Sequence, residues 1–209
     1  LKRVMGGKCL NVAGWKVEGE RPALDRYVII AAPHTSNWDM PFMLAFAFIY
    51  DMPVKWMGKH TLFKEPYGTF FKWLGGMPII RHRPGGVVGQ MIDAFEENES
   101  LILMVPAEGT RAHVDYWKSG FYRIACGADV PVVLSYLDFG KKVGGIGPAL
   151  KMTGDVSADM DRIRAFYAGM QGHKPENVGV IRLREEDVEE VVAQDADRPE
   201  DIERLAGNL

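Results

Sequence analysis

The chain has 209 residues, 47% apolar and 25% charged, values that exclude a disordered or fibrous protein and fit one globular domain with a sizeable core. Its net charge of −3 hides a split: residues 185–209 hold 10 acids and 2 bases, whereas the preceding residues hold 23 bases and 18 acids. Such a mildly basic body suits an anionic ligand or an anionic membrane face, and no nucleic-acid partner is expected. Two cysteines, Cys9 and Cys126, cannot build a disulfide framework and lack metal-ligand spacing, so both are expected to be inert packing residues. No run reaches the roughly 20 apolar residues that span a bilayer; the longest, Met40 to Tyr50, has 11. No signal-peptide pattern is present, although a start at Leu1 leaves room for an upstream segment.

Residues 1–25 are polar and glycine-dotted and predict an irregular lead-in, with a short amphipathic piece around Leu10 to Trp15. Arg26 to Ala32 is apolar without alternation, the mark of a strand covered on both faces. Ser36 or Asn37 is placed to cap a helix from about Trp38 to Tyr50, apolar enough to be buried or to touch lipid. Pro53 to Gly58 reads as a strand and Leu62 to Leu74 as a helical segment, its Phe63, Tyr67, Phe70 and Leu74 recurring at helical spacing. Met77 to Arg81 predicts a strand, Val87 to Glu97 a helix, Leu101 to Val105 a strand, Ser119 to Gly127 a helix and Val130 to Tyr136 a strand. Gly140 to Gly147 reads as a hairpin loop before a strand near Ala149 to Thr153. A helix over Ala158 to Met170, a strand over Val178 to Leu183 and an acidic tail follow. Strands alternating with helices predict an α/β fold, a mostly parallel mixed β-sheet flanked by helices. The expected organisation is a lead-in over 1–25, one domain over 26–184 and an acidic tail over 185–209.

Three predicted strand ends carry polar residues: His34 with Asp39, Arg81, and Glu108 to Arg111. Neighbouring strands of a parallel sheet open their carboxyl ends onto one crevice, which would gather a histidine, two arginines and two carboxylates. A histidine that takes a proton near neutral pH gains from a carboxylate on its other ring nitrogen, which fixes tautomer and orientation. Equally, Asp39 alone reads as a charge in a first helical turn and His34 as a loop residue. Glu108-Gly109-Thr110-Arg111 sets a close-approach backbone position beside a guanidinium suited to phosphate, or is a surface turn. Thr61 to Leu74 reads as core packing or as an aromatic membrane-interface stretch with Lys64 and Lys72 near headgroups. No histidine pair has the helical spacing of a zinc site.

Taken together, His34 to Asp39 (His-x4-Asp), Gly76 to Arg81 (Gly-x-Pro-x-x-Arg), Pro106 to Arg111 (Pro-x-Glu-Gly-Thr-Arg) and Val130 to Val133 (Val-Pro-Val-Val) resemble the 1-acylglycerol-3-phosphate O-acyltransferase family. The likeness covers roughly residues 26–140. It implies a glycerol-3-phosphate acyltransferase-like fold, His34 as general base and Asp39 as its orienting partner. It also implies that Arg81, Glu108, Gly109, Thr110 and Arg111 bind the acceptor's glycerol phosphate, with no metal or organic cofactor. The implied reaction moves an acyl group from acyl-CoA or acyl-carrier protein to a lysophospholipid hydroxyl, in a cytoplasmic protein attached peripherally to the membrane surface. Ala107 stands where the family commonly has Pro, and Met77-Pro78-Ile79-Ile80-Arg81 departs from the usual second block, which leaves the acceptor open. An acyl-thioester hydrolase and a non-catalytic lipid-binding protein are the alternatives.

Overall fold

The structure, a computed structural model, describes residue 7, residues 10–79 and residues 85–187. Seven strands form one sheet: β1 (Lys16–Glu18), β2 (Arg26–Ala32), β3 (Val54–Lys59), β4 (Gly76–Ile79), β5 (Leu101–Val105), β6 (Val132–Asp138) and β7 (Val143–Leu150). Their order across the sheet is β1-β7-β6-β2-β5-β3-β4. Every pairing is parallel except β6 with β7, so the expected mostly parallel mixed sheet is the one observed. The helices that lie wholly within the described residues include α1 (Asp39–Ile49), α2 (Gly68–Trp73), α3 (Gly86–Glu97), α4 (Gly120–Gly127) and α5 (Val156–Tyr167).

β2 is apolar throughout because both of its faces are covered. Val28, Ile30 and Ala32 point into the larger core, with Phe95 of α3, Phe121 and Ile124 of α4, and Met160 and Ile163 of α5. Tyr27 and Ile29 point the other way, onto Ala47 of α1 with Ile102, Met104 and Val133. The register sets Ile30 opposite Val105 of β5 and Leu134 of β6. Parallel neighbours in that register release their following loops at the same edge, so the loops after β2 and β5 meet.

Several elements differ from their sequence expectation. The helix expected over Leu62 to Leu74 is a 3-10 turn, His60–Phe63, followed by the short α2. Pro66 lacks the N–H a continuous helix needs, and Gly68 lies so close to the Phe63 carbonyl that a Cβ would collide with it. Gly144, Gly145 and Gly147 belong to β7 rather than to a loop; a Cβ on them would strike Phe46, the Glu18 carbonyl and Phe166 respectively. Residues 178–183 form no strand, because their two bonds to a neighbouring segment, Val180 N–H to the Val114 carbonyl and Trp117 N–H to the Arg182 carbonyl, do not repeat into a ladder. The expected lead-in contributes β1 to the sheet, and it seats Leu10 and Trp15 in a third cluster with Phe46 and Leu137. Cys126 is exposed rather than packed. Arg81, Cys9 and residues 188–209 of the acidic tail lie outside the described residues.

Candidate active site

His34 sits two residues beyond the end of β2, and Asp39 is the first residue of α1. Neither Ser36 nor Asn37 caps that helix in the expected way; Trp38 holds the cap position with no side-chain bond. Asp39 closes the loop instead. Its Oδ2 accepts the N–H of Thr35 at 2.7 Å and of Ser36 at 2.8 Å, fixing both carboxylate and loop at a helix N-terminus that favours negative charge. The same Oδ2 lies 3.1 Å from His34 Nδ1, with the Asp39 side chain 1% exposed and that of His34 15%.

The loop after β5 grips His34 from the other side. Glu108, 3% exposed, accepts the His34 backbone N–H on Oε1 at 2.9 Å, across 74 positions of sequence. Burial pushes the Glu108 carboxyl above its ordinary 4.5, against the lowering effect of that N–H. Behind it Tyr167 of α5 is fully buried; burial first, then the Glu108 charge, holds its phenol well above 10.0. Tyr167 therefore stays a neutral donor, giving its O–H to the Ser135 carbonyl at 2.9 Å.

Among the described residues, His34 Nδ1, Asp39 Oδ1 and Glu108 Oε2 are buried side-chain atoms that lack a hydrogen-bond partner. All three lie here. His34 Nδ1 lies at contact distance from Asp39 Oδ2, short of a well-aligned hydrogen bond. Unpaired buried polar atoms are costly and mark sites shaped for more than folding, and hydrogen bonds of this kind tighten when substrate arrives.

Two cavities adjoin the loop that carries His34. An apolar one of about 400 Å³ is lined by Met40, Met43 and Leu44 of α1 with Trp56, Met57, Leu62, Phe71, Met104 and Pro106, and by His34, Ser36, Asn37 and Arg111. A polar basin of about 510 Å³ is lined by Thr35, Ser36, Asn37, Trp38, Thr110, Arg111, Ala112, His173, Lys174 and Asn177. Ser36, Asn37 and Arg111 border both. The structure thus brings together His34, Asp39, Glu108, Thr110 and Arg111. Glu108 lines neither cavity, and its contact is with the His34 backbone. Gly109 takes φ +69°, a left-handed conformation suited to glycine, and a Cβ there would lie 2.8 Å from the Lys118 side chain. Lys174, His173 and Asn177 were not singled out as a site from the sequence, since they sit in a turn after α5 with no motif around them. Leu62 and Phe71 carried a partial signal as part of the aromatic stretch Thr61 to Leu74, whereas Trp56 belonged to the expected strand Pro53 to Gly58.

Fold and site together define a class: an open, mostly parallel α/β sheet that presents a histidine–carboxylate pair beyond its central strands, its histidine on the wall of an apolar cavity that borders a cationic basin. Residues 14–135 match the sequence model of the acyltransferase family, and the chain belongs to that family. The fold is similar to that of the 1-acyl-sn-glycerophosphate (LPA) acyltransferase PlsC from Thermotoga maritima, with a TM-score of 0.54 at 15% identity over 82% of this chain and 80% of that one. A comparison with curated protein sequences finds no match.

Proposed function

We propose that this acyltransferase moves a fatty acyl group from a thioester, acyl-CoA or acyl-carrier protein, to the hydroxyl of a lysophospholipid, with 1-acylglycerol-3-phosphate as the default acceptor. The observation that carries this reading is the placing of His34 on the wall of an apolar cavity fit for an acyl chain, which shares Ser36, Asn37 and Arg111 with a basin fit for a phosphate. The similar Thermotoga protein is described as an LPA acyltransferase, which agrees with that acceptor.

With Nδ1 turned to Asp39, the ring leaves Nε2 for substrate. Nε2 takes the proton of the acceptor hydroxyl as its oxygen attacks the thioester carbonyl. The tetrahedral intermediate then expels the thiolate, a good leaving group that needs no covalent enzyme intermediate, and His34 returns the proton to sulfur. Ester and free thiol are the balanced products. Asp39 holds the tautomer and stabilises the imidazolium between the two transfers. Arg111 and Thr110 face the anionic end of the acceptor. Glu108 acts as a positioning residue by holding the backbone of His34. Arg81 remains a proposed acceptor contact from the family resemblance alone, and no cofactor is called for by this chemistry.

Free thiol released from a long-chain acyl-CoA, followed with a panel of lysolipids, tests the reading. Release is expected only with an acceptor present, and His34→Ala should lower it by at least about 10²-fold, the scale of a lost general base, with the circular-dichroism spectrum unchanged. Release without acceptor would make the protein a thioesterase. A fully active His34→Ala would remove the dyad from the mechanism.

A further inference from the structure

The polar basin has a second wall that the family match does not reach: His173, Lys174 and Asn177 lie beyond residues 14–135. We propose that Lys174, which lines the same basin as Arg111, completes a binding site for a substrate phosphate group beside His34. This rests on the acyl-transfer reading and adds to it the residue that selects a phosphate-bearing substrate.

The turn that carries Lys174 is fastened to the residue next to the catalytic histidine. Lys174 N–H donates to Thr35 Oγ1 at 3.1 Å and Asn177 Nδ2 to the Thr35 carbonyl at 3.5 Å. Gly172 sits so near that a Cβ would lie 2.7 Å from the Thr35 side chain. Phe139 secures the turn from behind, its N–H donating to the Gln171 carbonyl at 2.9 Å and its ring meeting His173 edge-on at 4.9 Å. A turn anchored in this way fixes where its lysine projects from.

Charge points to the ligand. No acidic residue lines the basin, while Arg111 and Lys174 do. Among the described residues the Lys174 ammonium and the Arg111 guanidinium have no hydrogen-bond or ion-pair partner, so no carboxylate neutralises either. Two unneutralised cations lining one concave site attract a dianion, and a phosphate accepts charge-assisted hydrogen bonds from such groups. An acceptor's phosphomonoester and the nucleotide phosphates of an acyl-CoA share this chemistry.

Inorganic phosphate is the direct probe, titrated against the whole protein while the fluorescence of Trp38, which lines the basin, is followed. Saturable binding is expected, weakened about tenfold in Lys174→Ala, as loss of one charge-assisted hydrogen bond implies, and restored in Lys174→Arg. Equal phosphate affinity in wild type and Lys174→Ala overturns the proposal whatever the activity. Kinetics then separate the sources. If the acceptor supplies the phosphate, Lys174→Ala raises KM about tenfold for 1-acylglycerol-3-phosphate, with kcat held and KM for monoacylglycerol unmoved. If the donor supplies it, the rise appears for acyl-CoA and not for acyl-pantetheine. A uniform loss of kcat on every substrate makes Lys174 merely structural and rejects the site. Phosphate binding that depends on Lys174 in a protein that transfers no acyl group would reject the acyl-transfer reading and keep the site.

Discussion

His34 is held by its backbone more firmly than by its side chain. Glu108 takes its N–H at 2.9 Å, and the Thr35 and Ser36 N–H groups beyond it are locked on Asp39 Oδ2, so the ring turns about a fixed pivot while Nδ1 lies within 3.1 Å of a carboxylate. The cost falls on Glu108, whose carboxyl burial raises above 4.5. A carboxyl with a raised folded-state pKa binds more protons in the folded protein than in the unfolded chain between its two pKa values. Its contribution is therefore fully present below the ordinary carboxylate range and is lost as pH rises through the raised value. Glu108→Gln keeps an acceptor for the His34 N–H and removes the ionisation, so it is expected to gain stability relative to wild type as pH rises from 4 to 8, the two converging at the acid end. At pH 8 Glu108→Ala, which leaves that N–H unpaired, should lose about 1–3 kcal/mol. Urea midpoints across the pH series measure both. Parallel profiles for wild type and Glu108→Gln would show that the buried carboxyl does not titrate in this window.

At the scale of elements, space separates glycines that must be glycine from those that need not be. Gly145 of β7 pairs in register with Glu18 of β1, and its Cβ would fall on the Glu18 carbonyl. Gly145→Ala is expected to cost about 1–3 kcal/mol by prising β1 from the sheet edge. Gly89, inside α3, has nothing within 4 Å of such a Cβ, and Gly89→Ala should add about 0.5–1 kcal/mol through helix propensity. Chemical denaturation of both variants decides the matter, and opposite signs are the required result. This pair also shows why β7 was not legible in the sequence. A run of glycines signals a loop when read alone, whereas here it records the closeness of β1, Phe46 and Phe166, which only the assembled sheet reveals. β2 and β5 were legible because burial on both faces writes itself as unbroken apolar sequence. The site divides in the same way. His34, Asp39, Thr110 and Arg111 belong to local motifs, while Lys174 reaches the basin through a tertiary contact with Thr35 that no spacing encodes.

For the molecule as a whole, the two cavities give the site a direction. The apolar cavity is lined on one side by Leu62 and Phe71, and the same segment turns Phe70 (54% exposed) and Trp73 (57%) outward together with Tyr67. The Phe70 and Trp73 rings stack at 6.1 Å between centroids, with exposed Lys64 and Lys72 beside them. Among the described residues no helix is long and apolar enough to cross a membrane. Aromatic side chains flanked by lysines are instead the composition of a surface that rests in the headgroup region of an anionic bilayer. We propose that this face docks on the membrane, so that a lysolipid passes its acyl chain along the apolar cavity without crossing water. Withdrawing two such rings removes about 1.5–3 kcal/mol of apolar burial apiece when fully inserted, and 1.4 kcal/mol is tenfold in partitioning. Phe70→Ala with Trp73→Ala is therefore expected to weaken sedimentation with phosphatidylglycerol vesicles at least about tenfold. Neither residue lines the apolar cavity or the basin, so turnover of a short-chain, water-soluble thioester and acceptor should stay near the wild-type rate. Added salt should weaken the wild-type interaction as well, because Lys64 and Lys72 act through a screened field. Unchanged vesicle binding in the double variant would move the docking face elsewhere on the molecule.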